Sequence, residues 1–204
     1  MLKGINRRTF GRSRNAVTGK HAVLNFVDLG AGSAKRIRTL AKKHPKKSFV
    51  AVDINQRYKG MEGAHRKLGN LRFEHSDAFE YLKKQPSGSI GIINLDVFSA
   101  EFQPLKEKHY DDDFIINRKF LAEVRRVLNP RGRVYFTLSR IYLERATNLL
   151  KECGFNVKAE NLEKLEQEGR ITSTSRRIEI GKEMAKASGE ASHIIRIEAI
   201  KSGQ

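Results

Sequence analysis

Apolar positions along the chain follow two alternating periods. The runs "AVLNFVDL" (22–29), "SFVAVDI" (48–54), "SIGIINLDVF" (89–98) and "RVYFTL" (133–138) are short and nearly continuous, as strands buried on both faces are. "LRFEHSD" (71–77) alternates like a strand, and "FNVKAE" (155–160) and "HIIRIEAIK" (193–201) read as the last two. Between the runs the period lengthens. Ile37, Leu40 and Ala41 share one face of a predicted helix over 33–44, stopped by Pro45. Further helices are predicted over 60–69, 78–85, 114–128 and 141–154, the last closed by Gly154, and "NPRG" (129–132) reads as a turn.

Strands alternating with helices predict an α/β fold: a doubly wound, mainly parallel seven-stranded sheet with helices on both faces. The last two strands have no helix between them, which predicts an antiparallel edge. Right-handed crossovers collect the carboxyl ends of the parallel strands, and their loops, along one edge of the sheet.

The chemistry-bearing residues cluster at those ends. The first strand runs into Asp28-Leu29-Gly30-Ala31-Gly32-Ser33-Ala34-Lys35. A dinucleotide-binding turn would carry a third glycine where Lys35 stands. Asp28 would also repel a pyrophosphate, whereas a carboxylate suits a cationic ligand. S-adenosylmethionine is such a ligand, with a sulfonium, an ammonium and no phosphate. Asp53 follows Gly30 by 23 residues and ends the second strand, where an acid can accept both ribose hydroxyls. Asp77 ends the third strand and Asp96 the fourth.

"VDLGAGSAK" resembles motif I of the class I S-adenosylmethionine-dependent methyltransferases, with Ala34 in place of the last glycine. The similarity extends over roughly 22–160 and the final strand, and implies the Rossmann-like methyltransferase fold. It implies a cofactor site made of Asp28, Gly30, Gly32, Asp53, Ile54, Asp77, Ala78 and Asp96, with Asp77 and Ala78 at the adenine. Asp96 is the candidate catalytic residue, beside the reactive end of the cofactor. No metal site is expected. A structural alternative stands for each acid taken alone: Asp28 or Asp77 as a helix cap and Asp53 as a turn residue.

Charge suggests the acceptor. The chain has 204 residues, 40 Lys and Arg against 23 Asp and Glu, and a net charge of +17, which favours a polyanionic partner. Residues 1–20 hold Lys3, Arg7, Arg8, Arg12, Arg14 and Lys20 without an acid, and read as a basic arm preceding a domain over 21–204. The segment 161–192, with Arg170, Arg176, Arg177, Lys182 and Lys186, reads as a basic insertion in that domain. RNA is therefore the expected partner, held through both segments. Tyr58, Phe98, Phe102 and Tyr110 are candidate stacking groups.

The fourth strand lacks the Pro-Pro-aromatic motif of enzymes that methylate exocyclic amines. The lone Cys153 supports no cysteine-relay chemistry and allows no internal disulfide. Chain size, Asp96 and the loop "SAEFQPLKEKHYDDDFIINRKF" (99–120) resemble the tRNA guanine-N7 methyltransferase group, without that group's Pro-Asp-Pro-Trp segment. Methyl transfer to a base in tRNA or rRNA is the leading expectation. A small-molecule or protein methyltransferase and a noncatalytic RNA-binding module are the alternatives. With no signal-like apolar segment at the start of the sequence, a cytoplasmic location is expected.

Overall fold

A computed structural model describes residues 24–32, 34–54, 68–96, 117–140, 143–161 and 194–202. Seven strands form one sheet: β1 (Leu24–Leu29), β2 (Phe49–Asp53), β3 (Leu71–His75), β4 (Ile90–Asp96), β5 (Leu128–Ser139), β6 (Phe155–Asn161) and β7 (Ile194–Lys201). Their spatial order is β3-β2-β1-β4-β5-β7-β6. All neighbours from β3 to β5 run parallel. The antiparallel pairing expected near one edge is made by β7, which lies between β5 and β6 and opposes both. The described helices are α1 (Lys35–Lys43), α2 (Ala78–Lys83), α3 (Arg118–Val127) and α4 (Leu143–Glu152). The helix expected over 60–69 falls mostly outside the described residues.

The two faces of the sheet are built differently. Paired residues share a face, so Val27, Ile93, Val134 and Ala199 form one row and Leu29, Leu95, Phe136 and Ile197 the next. These eight are at most 2% exposed and pack with Tyr81 and Leu82 of α2, Phe120, Leu121, Val124 and Val127 of α3, and Ala146 and Leu150 of α4. This is the main core, and it explains the apolar periodicity of all three helices. On the opposite face Ile37 and Ala41 of α1 cover a smaller cluster of Phe49, Ala51, Leu71 and Phe73 of β2 and β3, with Phe26 of β1 packed against it. Cys153 packs half-buried against the main core.

The predicted turn at 129–132 needs correction. Leu128 already pairs with Ile90 in the sheet, and the next pair on these strands is Ile92 with Arg133. The four residues Asn129–Gly132 therefore form an irregularity inside β5. It persists because the Arg131 N–H donates to Asn129 Oδ1 at 3.2 Å and because residue 132 is glycine: a β-carbon there would lie 2.9 Å from the Leu128 side chain. The local turn chemistry is present, but buried Leu128 recruits its flank into the sheet.

Among the described residues, no helix is long and apolar enough to cross a membrane. Tyr81 is 1% exposed, and its hydroxyl makes no well-formed hydrogen bond among them, although the Arg72 side chain lies near enough to oppose in part the effect of burial on its pKa. Burial pushes its pKa up to about 12. The unfolded chain ionises this phenol from about pH 10, so its contribution is intact below pH 10 and is lost as pH rises towards 12. Tyr81→Phe is expected to keep or raise stability at neutral pH, by up to about 2 kcal/mol. Denaturant melts at stepped pH should show a smaller alkaline loss for this variant than for the parent.

Candidate functional site

The site is built at the carboxyl ends of β1, β2, β3 and β4, where the strand order reverses between β1 and β4. After Leu29 the backbone turns through Gly30 (φ 73°) and Gly32 (φ 52°), left-handed conformations that glycine adopts without steric cost. The turn is tied to β2. The N–H groups of Gly30 and Ala31 donate to the Val52 carbonyl at 2.9 and 3.0 Å, and the Gly32 N–H donates to Asp53 Oδ2 at 2.7 Å. Asp53 thus stands against the glycine turn. The Ser76 N–H donates to the Asp53 carbonyl at 3.2 Å, which brings the end of β3 alongside. Asp77 follows, and its Oδ1 accepts from the N–H groups of Phe79 and Glu80 at 2.8 and 3.1 Å. It is the N-cap of α2, so the cap reading of this residue holds. Asp77 is nonetheless exposed at the same edge, and Ala78 begins the helix, half-buried against the core.

Ile54, directly after Asp53, is 64% exposed, a large apolar side chain presented to solvent between the glycine turn and Asp77. An aliphatic surface between two carboxylates and a glycine turn fits a nucleoside: a flat base over Ile54 and ribose hydroxyls at Asp53.

Asp28 is differently placed. It is 2% exposed, and its Oδ1 accepts from Asn94 Nδ2 at 2.7 Å and from Arg36 Nη2 at 2.9 Å. Its charge is therefore balanced within the protein, and a cationic ligand there would share it with Arg36. Neither partner was expected from sequence. Asn94 was the available signal, a polar residue within the apolar run "IGIINL". Asp96 is the last residue of β4 and pairs with Thr137 of β5. Its backbone lies across the switch point from the glycine turn, and its side chain is outside the described residues.

Tyr58, Phe98, Phe102, Tyr110, the arm 1–20 and nearly all of 161–192 also lie outside them. The charge of the latter segment needs correction. Its six Lys and Arg are matched by six Glu over 161–192, so it is neutral overall, with a cationic stretch at Arg170, Arg176 and Arg177. The acid-free arm keeps its basic character.

Comparison with known proteins bears on this geometry. The family model described as "Putative methyltransferase" matches residues 22–194, and the chain belongs to that family. A relative named tRNA (guanine-N(7)-)-methyltransferase from Lactobacillus gasseri is 28% identical over 113 residues, covering 54% of this chain and 50% of the relative. The chain spans about half the length of this curated relative. Among solved structures, phosphoethanolamine N-methyltransferase 2 of Haemonchus contortus, in complex with S-adenosyl-L-methionine, superposes with a TM-score of 0.60 at 16% identity, covering 92% of this chain and 50% of that one. The 16S rRNA methyltransferase KamB superposes with a TM-score of 0.58 at 16% identity, covering 89% of both chains. At these identities the structures establish a shared Rossmann-like methyltransferase fold.

Ala34, at the position of the motif's last glycine, has φ 52° and ψ 18° and is 1% exposed. A left-handed non-glycine residue carries roughly 1–2 kcal/mol of strain. Replacing it by glycine relieves that strain but loses a buried methyl, about 0.8 kcal/mol, and adds chain entropy of about 0.4–1 kcal/mol. Ala34→Gly is therefore expected to be near neutral. Ala41→Gly, within α1 and equally buried, has no strain to relieve and should cost roughly 1–2 kcal/mol. Equal losses for the two in denaturant melts would contradict the left-handed assignment.

Proposed function

We propose that this protein is an S-adenosylmethionine-dependent methyltransferase whose acceptor is a base in RNA, with guanine N7 of tRNA as the specific reading. The observation that carries the cofactor assignment is the exposed Ile54 set between the glycine turn, Asp53 and Asp77. The family match and the name of the Lactobacillus relative support the reaction class and the acceptor. The acid-free arm at 1–20 supports a polyanionic substrate.

In this reading Asp53 takes the ribose hydroxyls, Ile54 covers one face of the adenine, and Asp77 and Ala78 meet its edge. Gly30 and Gly32 let the backbone approach the rest of the ligand closely. When bound, S-adenosylmethionine supplies an electrophilic methyl group on a sulfonium. The chain's own contribution is to align the acceptor with that methyl and to exclude water. Guanine N7 carries a free lone pair and needs no base, so Asp96 serves to position the acceptor and to balance positive charge as the bond forms.

The test is calorimetry with S-adenosylmethionine, followed by single-turnover methyl transfer to unmodified tRNA transcripts with mass mapping of the product. Asp53→Ala should weaken cofactor binding by about one to two orders of magnitude, from a lost charge-assisted hydrogen bond of roughly 1.5–3 kcal/mol. Part of that loss is indirect, because the Gly32 N–H loses its acceptor. Asp96→Ala should keep most cofactor affinity and lose methyl transfer. A wild-type protein that binds the cofactor but methylates neither the transcripts nor unmodified rRNA would exclude the RNA acceptor and favour a small-molecule or protein substrate. Wild-type transfer rates in Asp96→Ala would make Asp96 structural.

A further inference from the structure

The sheet face opposite the main core is most apolar where α1 covers it. Farther along, over β5, β7 and β6, the same face carries Arg133, Tyr135, Thr137, Arg196, Glu198, Lys158 and Glu160, as the pairing register requires. Most of these charges are mutually satisfied. Glu198 Oε1 accepts from Arg133 Nη1 at 2.8 Å and from the Tyr135 hydroxyl at 2.9 Å, and Lys158 pairs with Glu160 at 2.9 Å.

Arg196 is the exception. Its guanidinium carbon lies 4.4 Å from the centroid of the Tyr135 ring, yet it has no hydrogen bond or ion pair among the described residues. The two nearby carboxylates are engaged elsewhere. Burial lowers its pKa from the usual value and Arg36 adds repulsion in the same direction, while Tyr135, Glu198 and Glu160 act the other way without a direct hydrogen bond. Stacking on a half-buried ring holds a guanidinium in one plane and reduces the entropy lost when its edge binds a planar or tetrahedral acceptor.

Its position in the fold gives this arginine a use. Arg196 pairs with Thr137, and Thr137 pairs with Asp96. The three backbone positions form one row at the carboxyl edge of β4 and β5, with Arg196 two strands from Asp96, roughly 10 Å away. The Arg196 guanidinium, held over Tyr135, therefore stands within the reach of one nucleotide from the strand end that carries Asp96. We propose that Arg196, seated on Tyr135, binds a backbone phosphate of the acceptor RNA and so fixes the target nucleotide over the end of β4. This rests on the RNA reading above. It adds a residue that neither the motif resemblance nor the family match assigns.

The test uses a fluorescently labelled, unmodified tRNA transcript, titrated at several salt concentrations against wild type, Arg196→Met and Arg196→Lys. S-adenosylmethionine affinity and thermal melting are measured in parallel. Arg196→Met should bind the transcript about tenfold or more weakly, and the slope of log K against log salt should become shallower by about 0.7–0.9, one phosphate contact. Arg196→Lys keeps a charge but loses the fork, so the slope should persist while affinity falls several-fold. Cofactor affinity and melting should stay near wild type. If wild type binds the transcript and Arg196→Met matches it in affinity and slope, the phosphate assignment is wrong while the RNA reading stands. If Arg196→Met loses melting temperature and cofactor affinity in step with RNA affinity, the residue is structural and the proposal is overturned. If wild type fails to bind the transcript, the RNA reading fails and takes this assignment with it.

Discussion

A carboxylate buried to 2% exposure at the centre of the sheet sets the terms for the surrounding structure. Asp28 lies on β1, next to β4, where the strand order reverses. A buried charge without partners would cost several kcal/mol. Asn94, opposite it on β4, and Arg36, from the first turn of α1, donate to the same oxygen. These two bonds therefore link β1 to β4 and α1 to the sheet. They also define the path of the chain between Leu29 and Lys35, the glycine turn. Strand pairing, helix docking and the turn's shape meet at one residue, and for that reason Asp28 reads better as a support of the site than as a group free to meet a ligand alone.

From there the site grows by backbone hydrogen bonds. The turn's N–H groups go to Val52 and Asp53, and Asp53 in turn receives Ser76 through its carbonyl. Each step carries the chain to the next strand end, so Asp53, Ile54 and Asp77 are brought together by main-chain pairing and need no direct side-chain contacts with one another. Such a site tolerates substitution at its periphery. It also leaves Ile54 exposed, an arrangement costly for a core residue and useful for one that receives a flat apolar ligand.

The fold was largely legible because the buried face is regular. Uninterrupted runs such as "FVAVD" and the spacing of Phe120, Leu121, Val124 and Val127 point to one element type each, and packing agrees with the local pattern. Legibility fails where a residue's conformation depends on distant partners. Nothing near Asn129–Gly132 announces that Leu128 will pair with Ile90, and the left-handed turn at Ala34 is hinted at only by the glycine that the resembled motif carries there. The candidate acids were identifiable because each ends a strand. Arg36 and Asn94 were missed because their role exists only once β1, β4 and α1 have come together.

Electrostatics divides the molecule in a similar way. A net charge of +17 argues for a polyanionic partner but says nothing of where contact is made. The neutral balance of 161–192 shows how composition misleads when cations are counted without their acids. Across the described sheet most charges are paired, as at Arg133 with Glu198 and Lys158 with Glu160. Paired surface charges contribute little to binding a new ligand, because each must first be separated from its partner. On the face formed by β5, β7 and β6 the informative cation is the one whose neighbouring carboxylates are engaged with other partners. Arg196 is identified by that criterion, through the two bonds that occupy Glu198 and the ring that holds its guanidinium in place. Its place in the row of Asp96 follows from the β4–β5 and β5–β7 registers, a three-strand relation between residues 100 positions apart in the chain.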